Sequence, residues 1–316
     1  MSVNYTLLDE GLHDVPQSWF DTQTSRHHQK TKDASLKSLH DEEVKTLKAY
    51  HDGQLTAEAA AAQITSPISG SPVPELGGYS DHATAIRQLW KLLTAALVEW
   101  PSSRTGELVS LLRAISEVGD PIHGGEVQGG GEGGKATRTW KSLPWFEMVW
   151  SEEHWMQPGQ IARRATDDAH RRRLRDVYIK SQDVEAQLVA AGLLGWKRAF
   201  RYLIGALERK PGPDDRQDAD NDGKGFRQLK LDFHIPAAAR WIRHNGKRLH
   251  DGLARDELKD WDQKKEIPST AQQFDQPLDR WTFWRERFAE IQREESDEFV
   301  KEAAGSAVDL MGDVHG

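Results

Sequence analysis

Trp140, Trp145, Trp150 and Trp155 stand at five-residue steps in a sequence that carries 12 tryptophans. An indole offers a wide apolar face and one N–H donor, so clustered tryptophans suit an aromatic-walled pocket or the anchor of a protein interface. On a helix, steps of five turn about 500°, roughly 140° net, so the four rings cannot share one face. Some must be buried and some must look toward solvent, a neighbouring helix or a ligand. Trp241, Trp281 and Trp284 add rings elsewhere. Beside Trp241, Arg240 and His244 lie four residues apart and face the same way, a pair able to hold a carboxylate or phosphate. His154, next to Glu153, is a second place for acid–base work. The candidate ligand- or partner-binding set is therefore Trp145, Trp150, His154, Arg240, Trp241, His244, Trp281 and Trp284. The competing reading is that these tryptophans fill helix–helix corners and that Arg240 and His244 mark an exposed helix edge.

Three further strings carry chemistry on paper. Asp218, Asp220 and Asp222, with Gly223, match the first half of a calcium loop. Leu229 stands where the bidentate glutamate would be, so any calcium contact is a weak one. Asp214-Asp215-Arg216-Gln217-Asp218 resembles a magnesium–diphosphate motif, but it sits among Pro211, Gly212 and Pro213, which is loop composition. Arg171, Arg172 and Arg173 head a basic cluster with Asp167 and Asp168 at ion-pair spacing. A solvated, internally paired face competes there with a nucleic-acid contact. No zinc string, nucleophile elbow, phosphate loop or dinucleotide fingerprint occurs. No cofactor is implied.

Composition bounds the rest. The chain of 316 residues has net charge −8, 29% charged residues and no cysteine. That excludes disulfides, thiolate metal sites and cysteine nucleophiles, and it makes nucleic acid an unfavoured partner. No apolar run is long enough to span a membrane, and the first dozen residues lack a secretory pattern. The expectation is a cytoplasmic protein, with the nucleus as the other compartment.

The elements that would position these residues are helical. Ile86, Leu89, Trp90, Leu93, Leu97 and Trp100 form an apolar stripe that stops at Pro101. Thr56 reads as an N-cap after a stop at Gly53. Pro236 reads as the first turn of a helix carrying Ala239, Ile242 and Leu249. Trp281 through Phe299 read as one last long helix. The fold class is all-α, a single domain of irregularly packed amphipathic helices with two long loop insertions. The expected layout is a polar N-terminal arm over 1–32, the helical domain over 33–304 with a Gly-rich loop at 119–135 and an acidic loop at 210–225, and a frayed tail over 305–316.

Tyr50-His51-Asp52-Gly53-Gln54-Leu55-Thr56-Ala57-Glu58, Trp140-Lys141-Ser142-Leu143-Pro144-Trp145-Phe146, Ile235-Pro236-Ala237-Ala238-Ala239-Arg240-Trp241-Ile242 and Arg280-Trp281-Thr282-Phe283-Trp284 occur in this order. Together they resemble a mainly fungal, uncharacterised family, the domain of unknown function numbered thirty-six thirty-two. The resemblance runs from about Lys45 to Phe288 and implies a helical protein with no assigned catalytic residues. The leading expectation is a non-enzymatic helical scaffold or interaction protein with a protein partner. The alternative is a binding protein or enzyme of specialised metabolism that holds a small apolar ligand in a Trp-lined pocket.

Overall fold

The computed structural model describes residues 14–70, 81–119, 121–128, 135–154, 158–208, 225–259 and 274–314. Their contacts divide into two compact units, Met1–Trp155 and Met156–Gly316. Both are helical, as the apolar spacing predicts.

The first unit holds α1 (Gln17–Lys30), α2 (Ala34–His51), α3 (Ala57–Gly70), α4 (Asp81–Glu99), α5 (Thr105–Glu117) and α6 (Phe146–His154). Local chemistry sets their ends. Asp33 caps α2 by accepting from Ser35 N and Leu36 N. Gly53 takes φ +72°, which glycine adopts without a Cβ clash, and closes the turn after α2. Thr56 Oγ1 accepts from Ala59 N at 3.2 Å and starts α3. The predicted stripe on α4 is buried, with Ile86, Leu89 and Trp90 at 0% exposure. The region read as a polar arm contains α1, because Trp19 and Phe20 are buried and pack edge-on to Trp100. Two aromatic rings dock a helix whose remaining residues are mostly polar.

Part of the stretch read as a Gly-rich loop is an antiparallel ribbon. β1 (Pro121–Gln128) pairs with β2 (Lys135–Thr139), with a register shift between Pro121 and Glu126. Ladder bonds join backbones, so a strand can form without the alternating side chains that a sequence search looks for. Gly129-Gly130-Gly131 lies outside the described residues.

The second unit holds α7 (Pro158–Arg163), α8 (Asp168–Ala190), α9 (Lys197–Leu203) running into a π-helical turn (Ile204–Glu208), α10 (Gly225–Ala254), α11 (Asp279–Glu294) and α12 (Glu298–Asp313). α10 packs on α8 and on α12, and α12 packs on α11. Val184, Leu188, Phe200, Phe233, Trp284 and Phe288 form the core. Two expectations are corrected here. Pro236 does not open a helix; α10 runs through it. Flanking residues Ile235, Ala237 and Ala238 are all at 0% exposure, and that burial offsets the bond proline cannot make. The last helix is two: Asp297 caps α12 by accepting from Phe299 N at 3.0 Å, and the chain breaks at Glu295. The stretch read as a frayed tail is helical, with Ala304, Gly305, Ala307 and Met311 buried.

Candidate functional site

The described tryptophans are packing residues. Trp19, Trp90, Trp100, Trp140, Trp150, Trp241, Trp281 and Trp284 rank among the largest fully buried side chains, and Trp145 and Trp196 are half-buried. Five of them tie elements together through the indole N–H. Trp19 donates to Glu99, Trp90 to Pro144 O, Trp140 to Ser69, Trp241 to Gln182 and Trp284 to Glu208. No described tryptophan stands out on the surface. The 140° dispersal foreseen for Trp140, Trp145 and Trp150 ends with Trp140 and Trp150 both inside and Trp145 in the left-handed region at φ 63°. Trp155 lies outside the described residues.

The Arg240–His244 pair does meet a carboxylate, and it is the protein's own. Asp183 of α8 lies 3.0 Å from His244 Nε2 and 3.9 Å from Arg240 Nε. Burial pushes Asp183 up, but the hydrogen bond from His244 and the charges of His244 and Arg240 outweigh it and hold the carboxyl below its usual value. The anion that this pair suits is supplied by the neighbouring helix, α8. Nearby, burial holds the Lys180 ammonium down to about 8 against the pull of Asp183.

His154 packs against Trp150 with ring centroids 4.6 Å apart, and burial holds its imidazole down to about 4. The residue as a whole is half-buried. Asp218, Asp220 and Asp222 lie outside the described residues. Among the described residues no group of three or more histidine or acidic side chains is placed to hold a metal ion. No described helix is long and apolar enough to cross a membrane.

A buried acid stands between α1 and α2. Glu43 is 2% exposed, and neither of its carboxyl oxygens accepts a hydrogen bond. His40 Nδ1 lies 3.4 Å away, and His27 stacks on His40 at 4.1 Å. Burial raises the Glu43 pKa well above 4.5, depresses His40, and with the neighbouring His40 ring holds His27 down to about 4. The sign for Glu43 follows from linkage. Its folded value exceeds its unfolded value, so it costs stability as pH rises above about 4.5. The histidines do the reverse, costing stability as pH falls below about 6.5. Glu43→Gln removes only the first cost. The variant is expected to melt higher than the parent at pH 8. The gain should shrink toward pH 4.5. Thermal unfolding at pH 8, 6.5 and 5 reads this, and a gap that stays constant with pH refutes it.

The arginine cluster divides. Arg172 and Arg173 are exposed. Asp167, read as an ion-pair partner, caps α8 by accepting from His170 N at 2.7 Å. Arg175 packs over the Phe299 ring at 4.3 Å. Arg171 turns across to α10, where its Nη2 donates to Asp232 Oδ2 at 2.8 Å.

That last pair borders a pocket of about 210 Å³, lined by Arg171, Leu231, Asp232, Glu295, Ser296, Asp297 and Val300. Asp232 is 6% exposed. Its Oδ1 is buried and accepts no hydrogen bond, and the buried Nε of Arg171 donates none. Burial raises the Asp232 carboxyl to about 6, with Arg171 and Arg175 pulling it down and Asp297 pushing it up. Glu295 Oε1 accepts from Ser296 N and Asp297 N, which shapes the three-residue link between α11 and α12. The walls of this pocket are largely polar and charged, and no tryptophan is among them. Sequence reading found Arg171 and missed the rest. The available signals were Ser296-Asp297 ahead of a helix-forming run, and an aspartate four residues before Pro236.

A family model described as "Protein of unknown function (DUF3632)" matches residues 90–288, more than half of the chain. The span includes Arg171, Leu231 and Asp232 and ends before Glu295; it also leaves out the motif at Tyr50. No curated protein and no solved structure is significantly similar.

Proposed function

We propose that this chain, which belongs to the DUF3632 family, is a helical binding protein that holds a small polar molecule at the Arg171–Asp232 pocket. One observation carries the reading: the pocket is walled by the Arg171–Asp232 ion pair and by the polar residues Glu295, Ser296 and Asp297. Pockets of this kind fix orientation through a few placed polar groups. The ligand class thus shifts from the apolar molecule expected of a tryptophan wall to a polar one.

The test is a thermal-shift screen of small polar metabolites against the parent and Ser296→Phe. Ser296 is exposed and lines the pocket, so a phenyl ring there occupies the space while leaving the ion pair intact. A true ligand at a hundredfold excess over Kd raises the parent Tm by about 3 °C or more. Ser296→Phe should lose that rise. Hits that shift both proteins equally would place binding elsewhere and overturn the reading.

A further inference from the structure

The basic run at the start of the second unit holds a site of another kind, independent of the pocket. Arg163-Arg164-Ala165-Thr166 is the only place in the sequence where two consecutive arginines stand two and three residues ahead of a hydroxyl side chain. Thr166 lies in the link between α7, which ends at Arg163, and α8, which starts at Asp168. It is exposed, as is Arg164. Two backbone bonds close the end of α7, Arg164 N to Ile161 O at 3.0 Å and Ala165 N to Ala162 O at 3.2 Å. α7 has six residues, a length at which a helix has little stability of its own. The link can therefore be drawn out into an extended strand while α8 stays formed. A cleft lined with carboxylates would hold the two guanidiniums by charge-assisted hydrogen bonds.

The surroundings also suit a phosphate on Thr166. Its Oγ1 lies 3.1 Å from His170 Nδ1. In the unmodified chain Nδ1 accepts from the Thr166 amide at 3.3 Å. Once protonated, the ring donates instead, and a phosphate on Oγ1 is an acceptor within its reach. Hydrogen bonds from His170 N and Thr166 hold the adjacent Asp167 carboxyl below its usual value, and the Arg173 charge adds to them. α8 runs for 23 residues, and the positive end of its dipole favours a phosphate at this end. Asp167 and Asp168 oppose it, but they adjoin Thr166 in the folded and the unfolded chain alike.

We infer that Thr166 is a phosphoacceptor for a serine/threonine kinase that reads the two arginines ahead of it, and that His170, with Arg173, receives the phosphate at the start of α8. The Thr166 hydroxyl oxygen attacks the γ-phosphorus of magnesium-bound ATP. The bond from that phosphorus to the β-phosphate oxygen breaks, ADP leaves, and the hydroxyl proton passes to the kinase's catalytic carboxylate.

The experiment treats the folded full chain with the catalytic subunit of cyclic-AMP-dependent protein kinase and magnesium ATP, and maps the product by mass spectrometry. A phosphoryl group on Thr166 is expected. Thr166→Val, which keeps the branched shape, loses it. Arg164→Ala lowers kcat/KM for the reaction at least about tenfold, the worth of one charged hydrogen bond. Both positions are exposed, so neither change disturbs the core. Phosphorus NMR then titrates the phosphate in the folded chain and in its tryptic digest. Its second ionisation is expected about one pH unit lower in the folded chain, and His170→Gln should shrink that difference. No modification of the folded chain, or modification elsewhere with Thr166 untouched, overturns the acceptor assignment. Equal titration in chain and digest, or a difference that His170→Gln leaves unchanged, overturns the receiving role of His170.

Discussion

Glu208→Ala lowers the stability of the second unit by about 3–5 kcal/mol, the cost of removing one partner from a buried ion pair. Glu208 ends the π-helical turn after α9, and its side chain is 0% exposed. Arg280 of α11 places Nε 2.9 Å from Glu208 Oε1 with 8% of its own side chain exposed. Trp284, one turn further along α11, donates its indole N–H to the same oxygen at 2.6 Å. Alanine removes this carboxylate from a guanidinium that is 8% exposed and lies 5.0 Å from the Phe274 ring. Glu208→Gln keeps an acceptor for Trp284 and removes the charge, so its loss should be smaller than that of alanine. The double change Glu208→Leu with Arg280→Met replaces two charges by apolar volume and should recover most of the loss. Denaturant titration followed by circular dichroism measures all three. A Glu208→Ala change under about 1 kcal/mol would mean that water reaches the guanidinium.

A comparable loss, about 3–5 kcal/mol, is expected for Trp90→Ala in the first unit. Trp90 is at 0% exposure on α4 and stands edge-on to Trp140 at 5.9 Å and to Phe146 at 5.4 Å. Its N–H reaches Pro144 O at 2.6 Å. This bond holds the turn in which Leu143 and Trp145 both take positive φ, at 43° and 63°. Left-handed backbone is costly for residues with a Cβ, and it persists only where the surroundings impose it. Trp90→Phe separates the two contributions. It keeps most of the apolar ring and leaves the Pro144 carbonyl without that donor, for about 1–3 kcal/mol. Equal losses for alanine and phenylalanine would assign the whole effect to the hydrogen bond; a phenylalanine variant as stable as the parent would assign it to packing.

These two sites also mark what the sequence makes legible. The α4 stripe, the Gly53 stop and the Thr56 cap follow from local rules, three-and-four spacing and turn chemistry, that act within a few residues. Trp90 as a core residue is read from that spacing. Its bond to Pro144 is 54 positions distant in the chain and is not. Arg240 and His244 were recognised as an anion-holding pair because both lie on one helix. Asp183, which satisfies them, is 61 positions before His244. The candidate pocket fails to appear for the same reason. Arg171 and Asp232 come from different helices, and Glu295 and Asp297 from a link that the apolar pattern ran straight through. Helix breaks set by a single capping aspartate leave little trace when apolar residues flank them on both sides. α1 and α12 were undervalued because a few buried residues suffice to dock them, Trp19 and Phe20 in one and small alanine and glycine positions in the other.

The proline within α10 leaves a gap in its ladder that the outline conceals. Pro236 has no amide hydrogen, so the helical carbonyl four residues back, that of Asp232, receives none from it. The bonds made by the neighbouring residues still cross that position, so α10 stays one helix, and the buried side chains of Ile235, Ala237 and Ala238 hold it there. In amide hydrogen exchange, amides from Ala239 onward are expected to exchange only with the unit's core.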